Sequence, residues 1–368
     1  MVVTKLSLRD FRNYARAEVE LGPGLNVIHG PNGAGKTNLV EAVYFGLTAR
    51  SCRTSNEREL VRLGTGVARV VCDVDGDDGP HQLEVGFAPG EEKRLRVDGS
   101  PPDRSAPPPR PLVCVFLPDR LELVKGAPAA RRGHLDQVVA ALWPSRASTR
   151  SAYARVLSQR NALIARLRRG HGSTDTLDAW DTELARHGEQ LIADRRRAID
   201  ALAEPFARRA ADLGMPEAAT LRYEPRSKAR DAAGLREELA ERRQSDLDRG
   251  FTTHGPHRDD MALLHGDRSL RSFGSQGQQR LALLALLFAE RDVLGARGRP
   301  PLMLLDDVMS ELDATRRELL AELVRSGGQT IVTTTDLEHV PGAGHQDVVA
   351  WSALAGTVAA GSARPVAA

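Results

Sequence analysis

The chain has 368 residues, enough for one large domain or two ordinary ones. Its 41% hydrophobic and 27% charged residues are the proportions of a soluble globular protein. The longest apolar run, LALLALLFA at 281–289, falls well short of the roughly 20 residues of a membrane span, and the N-terminus lacks a signal-peptide centre. Three cysteines, Cys52, Cys72 and Cys114, are odd in number without CxxC spacing, the usage of reduced thiols in a cytosolic protein.

Residues 1 to about 100 alternate between strands and one helix. TKLSLRDF and ARAEVEL have period-two alternation, LNVIHG is a short apolar strand, and TNLVEAVYFGLTAR has helical spacing. VARVVCDV, HQLEVGFA and KRLRVDG then predict a meander with Gly/Asp turns. The proline-rich SPPDRSAPPPRP (100–111) reads as a linker before a buried strand, PLVCVFL. From about residue 121 to 243 the pattern turns helical, interrupted at Gly170, Gly172 and Gly214 and without a sustained heptad. Strand signals return in PLMLLDDV and QTIVTTTD, and the Ala/Gly-rich end from Ser352 predicts a frayed tail. The formal net charge of +2 says little about partners, but residues 131–210 hold fifteen Arg against nine acidic residues. That excess suits a phosphate backbone, and it suits a solvated helical face equally well.

GPNGAGKT (30–37) fits G-x4-G-K-[ST] between a strand and a helix, the pattern of a phosphate-binding loop. Gly30, Pro31, Asn32, Gly33, Ala34 and Gly35 let successive backbone N–H groups curl round a phosphate at the start of a helix. Lys36 is then placed for the β- and γ-phosphates and the Thr37 hydroxyl for Mg2+. LMLLDDV puts Asp306 at the end of a buried strand, where it can hold Mg2+ through water. Asp307 follows, placed to orient or deprotonate an attacking water. ATP and Mg2+ are thus the expected ligands.

FGSQGQQR begins a helix upstream of that strand, and SELD (310–313) follows it. Together they resemble the signature and D-loop of ABC-type ATPases, in which the signature of one head binds the γ-phosphate on another. Ser275, Gly277 and Gln278 are the residues expected to meet that phosphate, Ser275 acting in catalysis with Lys36 and Asp307. An ordinary Ser-capped helix would read the same way locally. LRDFRNYARAEVEL, GPNGAGKTNLVEAVYFGLTARSCRT, FLPDRLELVKGAPAARRGHLD, THGPHRDDM, FGSQGQQR and LLDDVMSELD, in that order, resemble the RecF recombination mediator family over nearly the whole chain.

The resemblance implies an α/β fold: an ABC-type P-loop ATPase head, with a mixed-sheet lobe and a parallel-sheet core, carrying an inserted, mostly α-helical domain. The expected division is head at 1–118 and 246–351, insert at 119–245, and flexible tail at 352–368. It also implies a cytoplasmic, nucleoid-associated DNA-repair and recombination ATPase of the SOS response. Such a protein dimerises on ATP, binds double-stranded DNA at gaps or single/double-strand junctions, and works with RecR and RecO to load RecA. By the same match Arg12 and Asn13 lie beside the nucleotide phosphates. For DNA the candidates are Arg131, Arg132, Arg166, Arg168, Arg169, Arg195, Arg196 and Arg197 of the insert.

Two departures from the wider ABC class bear on the chemistry. The usual catalytic Glu is Asp307, one methylene shorter, and Thr335 and Asp336 stand where a sensing histidine is usual. Slow hydrolysis used as a switch is the expectation. No Q-loop glutamine follows VCVFLPD, Asp119 standing near that position. GPHRDD (255–260) could equally be a charged turn that organises the lobe interface or a ligand contact. A transporter-coupled ATPase is the alternative, disfavoured by the long insert and the missing histidine. A non-catalytic scaffold is a third reading, disfavoured by the two aspartates and the full signature.

Overall fold

The computed structural model describes residues 1–103, 110–117, 121–298, 300–310 and 312–360. Asp119, Glu311 of the D-loop, the centre of the proline-rich segment and residues 361–368 lie outside them. The chain divides into two units, the first made of 1–120, 212–214 and 291–368, the second of 121–211 and 215–290.

The first unit opens with β1 (Val2–Phe11), β2 (Tyr14–Glu20), β3 (Leu25–His29) and α1 (Lys36–Thr48). β4 (Ala68–Gly76), β5 (Gly79–Phe87), β6 (Arg94–Val97) and β7 (Val113–Phe116) follow. In the second unit come α2 (Glu122–Lys125), α3 (Pro128–Leu142), α4 (Thr149–Leu167), α5 (Leu177–Asp212) and β8 (Ala219–Glu224). Next are α6 (Ala232–Glu241), α7 (Arg243–Arg249), β9 (Asp260–His265), β10 (Arg268–Ser269), α8 (Leu270–Phe273) and the start of α9 (Gln276–Gly295). The first unit closes with β11 (Leu302–Leu305), α10 (Ala314–Arg325), β12 (Thr330–Thr334), β13 (Val349–Leu354) and β14 (Thr357–Ala360).

Two sheets build the first unit. β2-β1-β4-β5-β6 is antiparallel, and along β1 and β4 buried and more exposed residues largely alternate, as a sheet covered on one face requires. β14-β13-β3-β12-β11-β7 is parallel except for β14, and its central strands β11 and β12 are buried throughout. α1 joins the two: Leu39, Val43 and Phe45 share one core with Val70 and Val85 of the antiparallel sheet and with Ile28, Leu304 and Ile331 of the parallel one. The expected lobe and parallel core are both present, with the sheet of the lobe wholly antiparallel rather than mixed. The tail is a correction, because 352–354 complete β13 and 357–360 form β14. β13 pairs in parallel with β3, and an Ala/Gly composition does not prevent backbone pairing.

The second unit is mostly helical, with the small antiparallel sheet β10-β9-β8. It also corrects the expected boundary, since 246–290 belong here and not to the ATPase head. The reason is pairing: β9 forms its ladder with β8, not with the parallel sheet. Along α5 the buried positions Leu177, Asp181, Leu184, Gly188, Leu191, Arg195, Ala198 and Leu202 recur at alternating steps of four and three. Polar or small residues at every second step hide this seam from a hydrophobicity pattern.

GPHRDD is the hub of this unit. Arg195 Nη1 donates to Pro256 O at 2.7 Å, the buried Asp259 accepts from the Tyr223 hydroxyl and from Arg226 N, and Asp260 takes Arg131 in a bidentate pair at 2.7 and 2.8 Å. His257 Nε2 donates to Thr252 O at 3.0 Å, which leaves Nδ1 to accept from the Tyr153 hydroxyl at 2.7 Å. These bonds use the neutral ring. Burial pushes its pKa down to about 4; the Thr252 bond opposes this and the charges of Arg258 and Arg132 reinforce it. Among the described residues no helix is long and apolar enough to cross a membrane.

Between the unfolded histidine value near 6.5 and the folded value of about 4, the unfolded chain binds more protons. Stability attributable to His257 is therefore present above about pH 6.5 and lost as pH falls towards 4. Thermal melts at pH 7.5 and 4.5 should show a smaller acid-induced drop in His257→Gln than in the wild type.

Candidate nucleotide site

The phosphate-binding loop connects β3 to α1 at the carboxyl edge of the parallel sheet, where the next strands are β12 and β11. Gly30 and Gly35 have φ of 149° and 112°, and a Cβ on Gly30 would fall 2.1 Å from Ala353 O. Both positions thus require glycine. Lys36 is buried at 7% exposed, and its Nζ donates to Gly30 O at 2.8 Å and Pro31 O at 3.1 Å, folded back over its own loop. Burial pulls its pKa below the ordinary lysine value, against the opposing charges of Asp307 and Asp306.

Thr37 and Asp306, 269 residues apart, meet here: Thr37 Oγ1 donates to the carboxylate, 3.0 and 2.8 Å from its two oxygens. Thr333 Oγ1 donates to Asp306 Oδ1 at 2.6 Å and accepts from Asp307 N at 2.9 Å. Asp306 is 4% exposed. Burial pushes its pKa above the usual carboxylate value, partly offset by the Thr333 and Thr37 hydrogen bonds and aided by the charge of Asp307. Asp307 sits at φ 47°, a conformation rare for a non-glycine residue, and its buried Oδ1 has no hydrogen-bond partner among the described residues.

No group of three or more His, Cys, Asp or Glu among the described residues could hold a metal unaided. The hydroxyl and carboxylate oxygens of Thr37 and Asp306 fit a hard cation such as Mg2+, whose shell would be completed by water and phosphate oxygens.

Asn13 lies on the loop, its Nδ2 donating to Ala34 O at 3.1 Å. The guanidinium of Arg12, the residue before it, is bidentate on Glu41 at 2.8 and 2.9 Å. Sequence reasoning missed the turn between β13 and β14, where Gly356 N donates to Ala34 O at 3.2 Å. Only strand propensity in VVAWSAL could have signalled it. Asp336 caps a short 3-10 turn at 337–339, its Oδ1 accepting from Glu338 N.

The signature lies in the second unit. Ser275 N donates to Gln278 Oε1 at 2.9 Å, while Gln278 N donates to Ser275 Oγ at 3.2 Å, the reciprocal pair of a capping box. α9 then runs through Leu281, Leu283 and Leu286 with 1% exposure or less. Ser275 and Gly277 face solvent, and nothing lies within 4 Å of where a Gly277 Cβ would stand. Local packing does not demand glycine there.

The cationic set divides. Arg131 and Arg195, 2% and 3% exposed, are corrections: they are locked onto Asp260 and Asp136, because a buried guanidinium needs a carboxylate partner. Arg132 is half-buried and donates to Asp259 O. Arg166, Arg168 and Arg169 at the end of α4 and Arg196 and Arg197 on α5 are exposed.

A family profile described as an AAA domain matches residues 5–97. Over 361 residues, 93% of this chain and 95% of the relative, the sequence is 42% identical to the DNA replication and repair protein RecF of Streptomyces avermitilis. The chain belongs to the RecF family. Two solved structures of the recombination mediator protein RecF in the RecFOR pathway, RecF-ATP and RecF-ATPrS, share 27% identity. They superpose at TM-scores of 0.84 and 0.81, with 98% of this chain covered and 97% and 98% of theirs. An Smc head bound to the C-winged helix domain of ScpA shares the fold alone, at 17% identity and a TM-score of 0.59 over 97% of this chain and 96% of that one. In this RecF-family chain the ABC-type head and its phosphate loop therefore stand in a DNA replication and repair protein.

Two outcomes follow from the burial. Arg195→Ala should unfold the second unit more readily, by about 3 kcal/mol in denaturant titration, since it removes the bidentate partner of Asp136 and leaves only the exposed Arg150 at 3.4 Å. A raised carboxylate pKa marks a charge that burdens the fold at neutral pH, stability being lost as pH rises through the folded value. Asp306→Asn should therefore raise the nucleotide-free melting temperature, on the order of 1 kcal/mol, and abolish the further rise on adding ATP and Mg2+.

Proposed function

We propose that the chain is an ATP-switched DNA-repair mediator. It dimerises when ATP is bound, engages double-stranded DNA at gaps or single/double-strand junctions, and acts with RecR and RecO to load RecA in the cytoplasm, at the nucleoid. The observation that carries the reading is the convergence of Thr37 and Asp306 beside the phosphate loop in a chain 42% identical to a RecF. The likeness to the solved RecF-ATP structure, at 27% identity and a TM-score of 0.84, supports it.

Loop amides from Gly33 to Thr37 and the first turn of α1 bind the β-phosphate. Lys36 exchanges the Gly30 and Pro31 carbonyls for phosphate oxygens. Bound beside Thr37 and Asp306, Mg2+ would neutralise charge on the β- and γ-phosphate oxygens. Asp307 orients the attacking water and takes its proton at Oδ1, the oxygen left without a partner. An Asp reaches less far than a Glu, so turnover is slow and hydrolysis acts as a timer. Stimulation of that slow turnover by DNA belongs to the same reading.

The signature completes the site across two protomers. Ser275, Gly277 and Gln278 of one copy meet the γ-phosphate on the loop of the other, and the capping box holds them in place. Dimer affinity is then linked to nucleotide occupancy. DNA is held through phosphates by Arg166, Arg168, Arg169, Arg196 and Arg197, independently of sequence.

Sedimentation with and without ATP, with duplex DNA at two salt concentrations, tests the switch. The expected result is a dimer only with ATP, and DNA affinity that falls steeply with salt. Lys36→Ala should abolish ATP binding. Ser275→Arg should bind ATP as a monomer yet fail to dimerise; dimerisation by this variant, or turnover of hundreds per second in the wild type, would overturn the reading.

A further inference from the structure

Three stretches apart in the sequence meet on one carboxylate beside the phosphate loop. Glu41 lies one helical turn beyond Thr37 on α1, and its side chain is fully buried. Arg12 Nε and Nη2 donate to its two oxygens, Ser51 Oγ donates to Oε1 at 2.5 Å, and Arg53 Nη1 reaches Oε2 at 3.3 Å. A bidentate arginine would already compensate a buried acid. The second guanidinium and the hydroxyl go beyond that need.

From this carboxylate a relay runs back to the loop. Arg53 Nη1 donates to Asn38 Oδ1 at 2.8 Å, Asn38 Nδ2 to Asn13 Oδ1 at 2.8 Å, and Asn13 Nδ2 to Ala34 O at 3.1 Å. Ala34 is a loop residue, and Asn38 is the next residue after Thr37. Arg12 has φ 53°, a backbone conformation that the pair with Glu41 helps to hold. The exposed Glu59 lies 3.4 Å from Arg12 Nη1, so Arg53 shares Glu41 with a cation that has a second acid of its own.

We propose that Glu41 is a positioning residue of the nucleotide site. It fixes Arg12 and Arg53 at the flank of the loop and, through Asn38 and Asn13, holds the loop backbone at Ala34. Its carboxylate does not meet the nucleotide. Its work is preorganisation: groups ordered before ATP arrives need not be ordered by ATP. The inference rests on residues 30–37 being a nucleotide loop.

Fluorescent mant-ATP titration of the full chain, with turnover at saturating ATP, separates this role from a purely structural one. Glu41→Gln keeps the shape and removes the charge. Its Kd should rise about fivefold or more, with saturated turnover within about twofold of wild type. A lower nucleotide-free melting temperature with unchanged Kd would overturn the proposal. Should Glu41→Gln fail to fold, Asn38→Ala decides, because it cuts the relay without disturbing the buried charge. A Kd raised about threefold or more supports the proposal and an unchanged Kd overturns it. A wild type that binds no mant-ATP would bring down the reading of the loop itself, and this inference with it.

Discussion

Asp306 is a carboxylate buried inside the protein, and the nucleotide end of the first unit is arranged round it. At 4% exposed it has little water to solvate it, so protein donors replace the water. The two hydroxyls that do so come from different places: Thr37 opens α1, and Thr333 lies on β12, between β3 and β11 in the sheet. One carboxylate therefore ties the start of α1 to the ends of two adjacent strands, β11 and β12. Thr333 also accepts from Asp307 N, so holding the first acid fixes the backbone of the second. Asp307 is thereby held at φ 47°, with an oxygen that has no partner among the described residues, a conformation its surroundings must maintain.

The second unit solves a different problem with similar means. Arg160 is fully buried between Asp181 and Asp246 at 2.6 and 2.7 Å, and Asp246 also accepts from Thr253 N and Oγ1. With Arg131–Asp260 and Arg195–Asp136, such pairs join α3, α4, α5 and α7 through the segment at 252–260. Apolar side chains of similar volume would stabilise as well. Charged pairs also dictate which residue faces which, and the signature follows along the same chain: Asp260 starts β9, and Ser275 caps α9 after β10 and α8.

Legibility in the sequence followed the range of the interactions. The phosphate loop, β11 with its two aspartates and the long helices were readable because loop chemistry and periodicity are local. The unit boundary was not: residues 246–290 look like returning α/β sequence, and only the pairing of β9 with β8 assigns them to the helical unit. The seam on α5 was masked because Asp181 and Arg195 occupy positions where a pattern search expects apolar residues. Arg131 and Arg195 looked like surface cations for the same reason, since their acids, Asp260 and Asp136, lie 129 and 59 residues away. The Ser275 cap of α9 was legible because a cap is local, whereas its reciprocal bond from Ser275 N to Gln278 was not read from the sequence.

The parallel sheet also sets a timetable. β3, residues 25–29, is flanked by β12 and β13, neither of which exists on a growing chain until more than three hundred residues have been made. α1 and the antiparallel sheet can assemble early, and the second unit has its own core. The loop must wait for its neighbours. A further support, Gly356 N on Ala34 O, comes later in the chain than either strand. Contacts of such separation are slow to form, and domains tend to fold as units during synthesis. The helical unit, with Ser275 at the start of its last helix, can thus be complete while the loop is still forming, so on a nascent chain β3 waits longest for its neighbours.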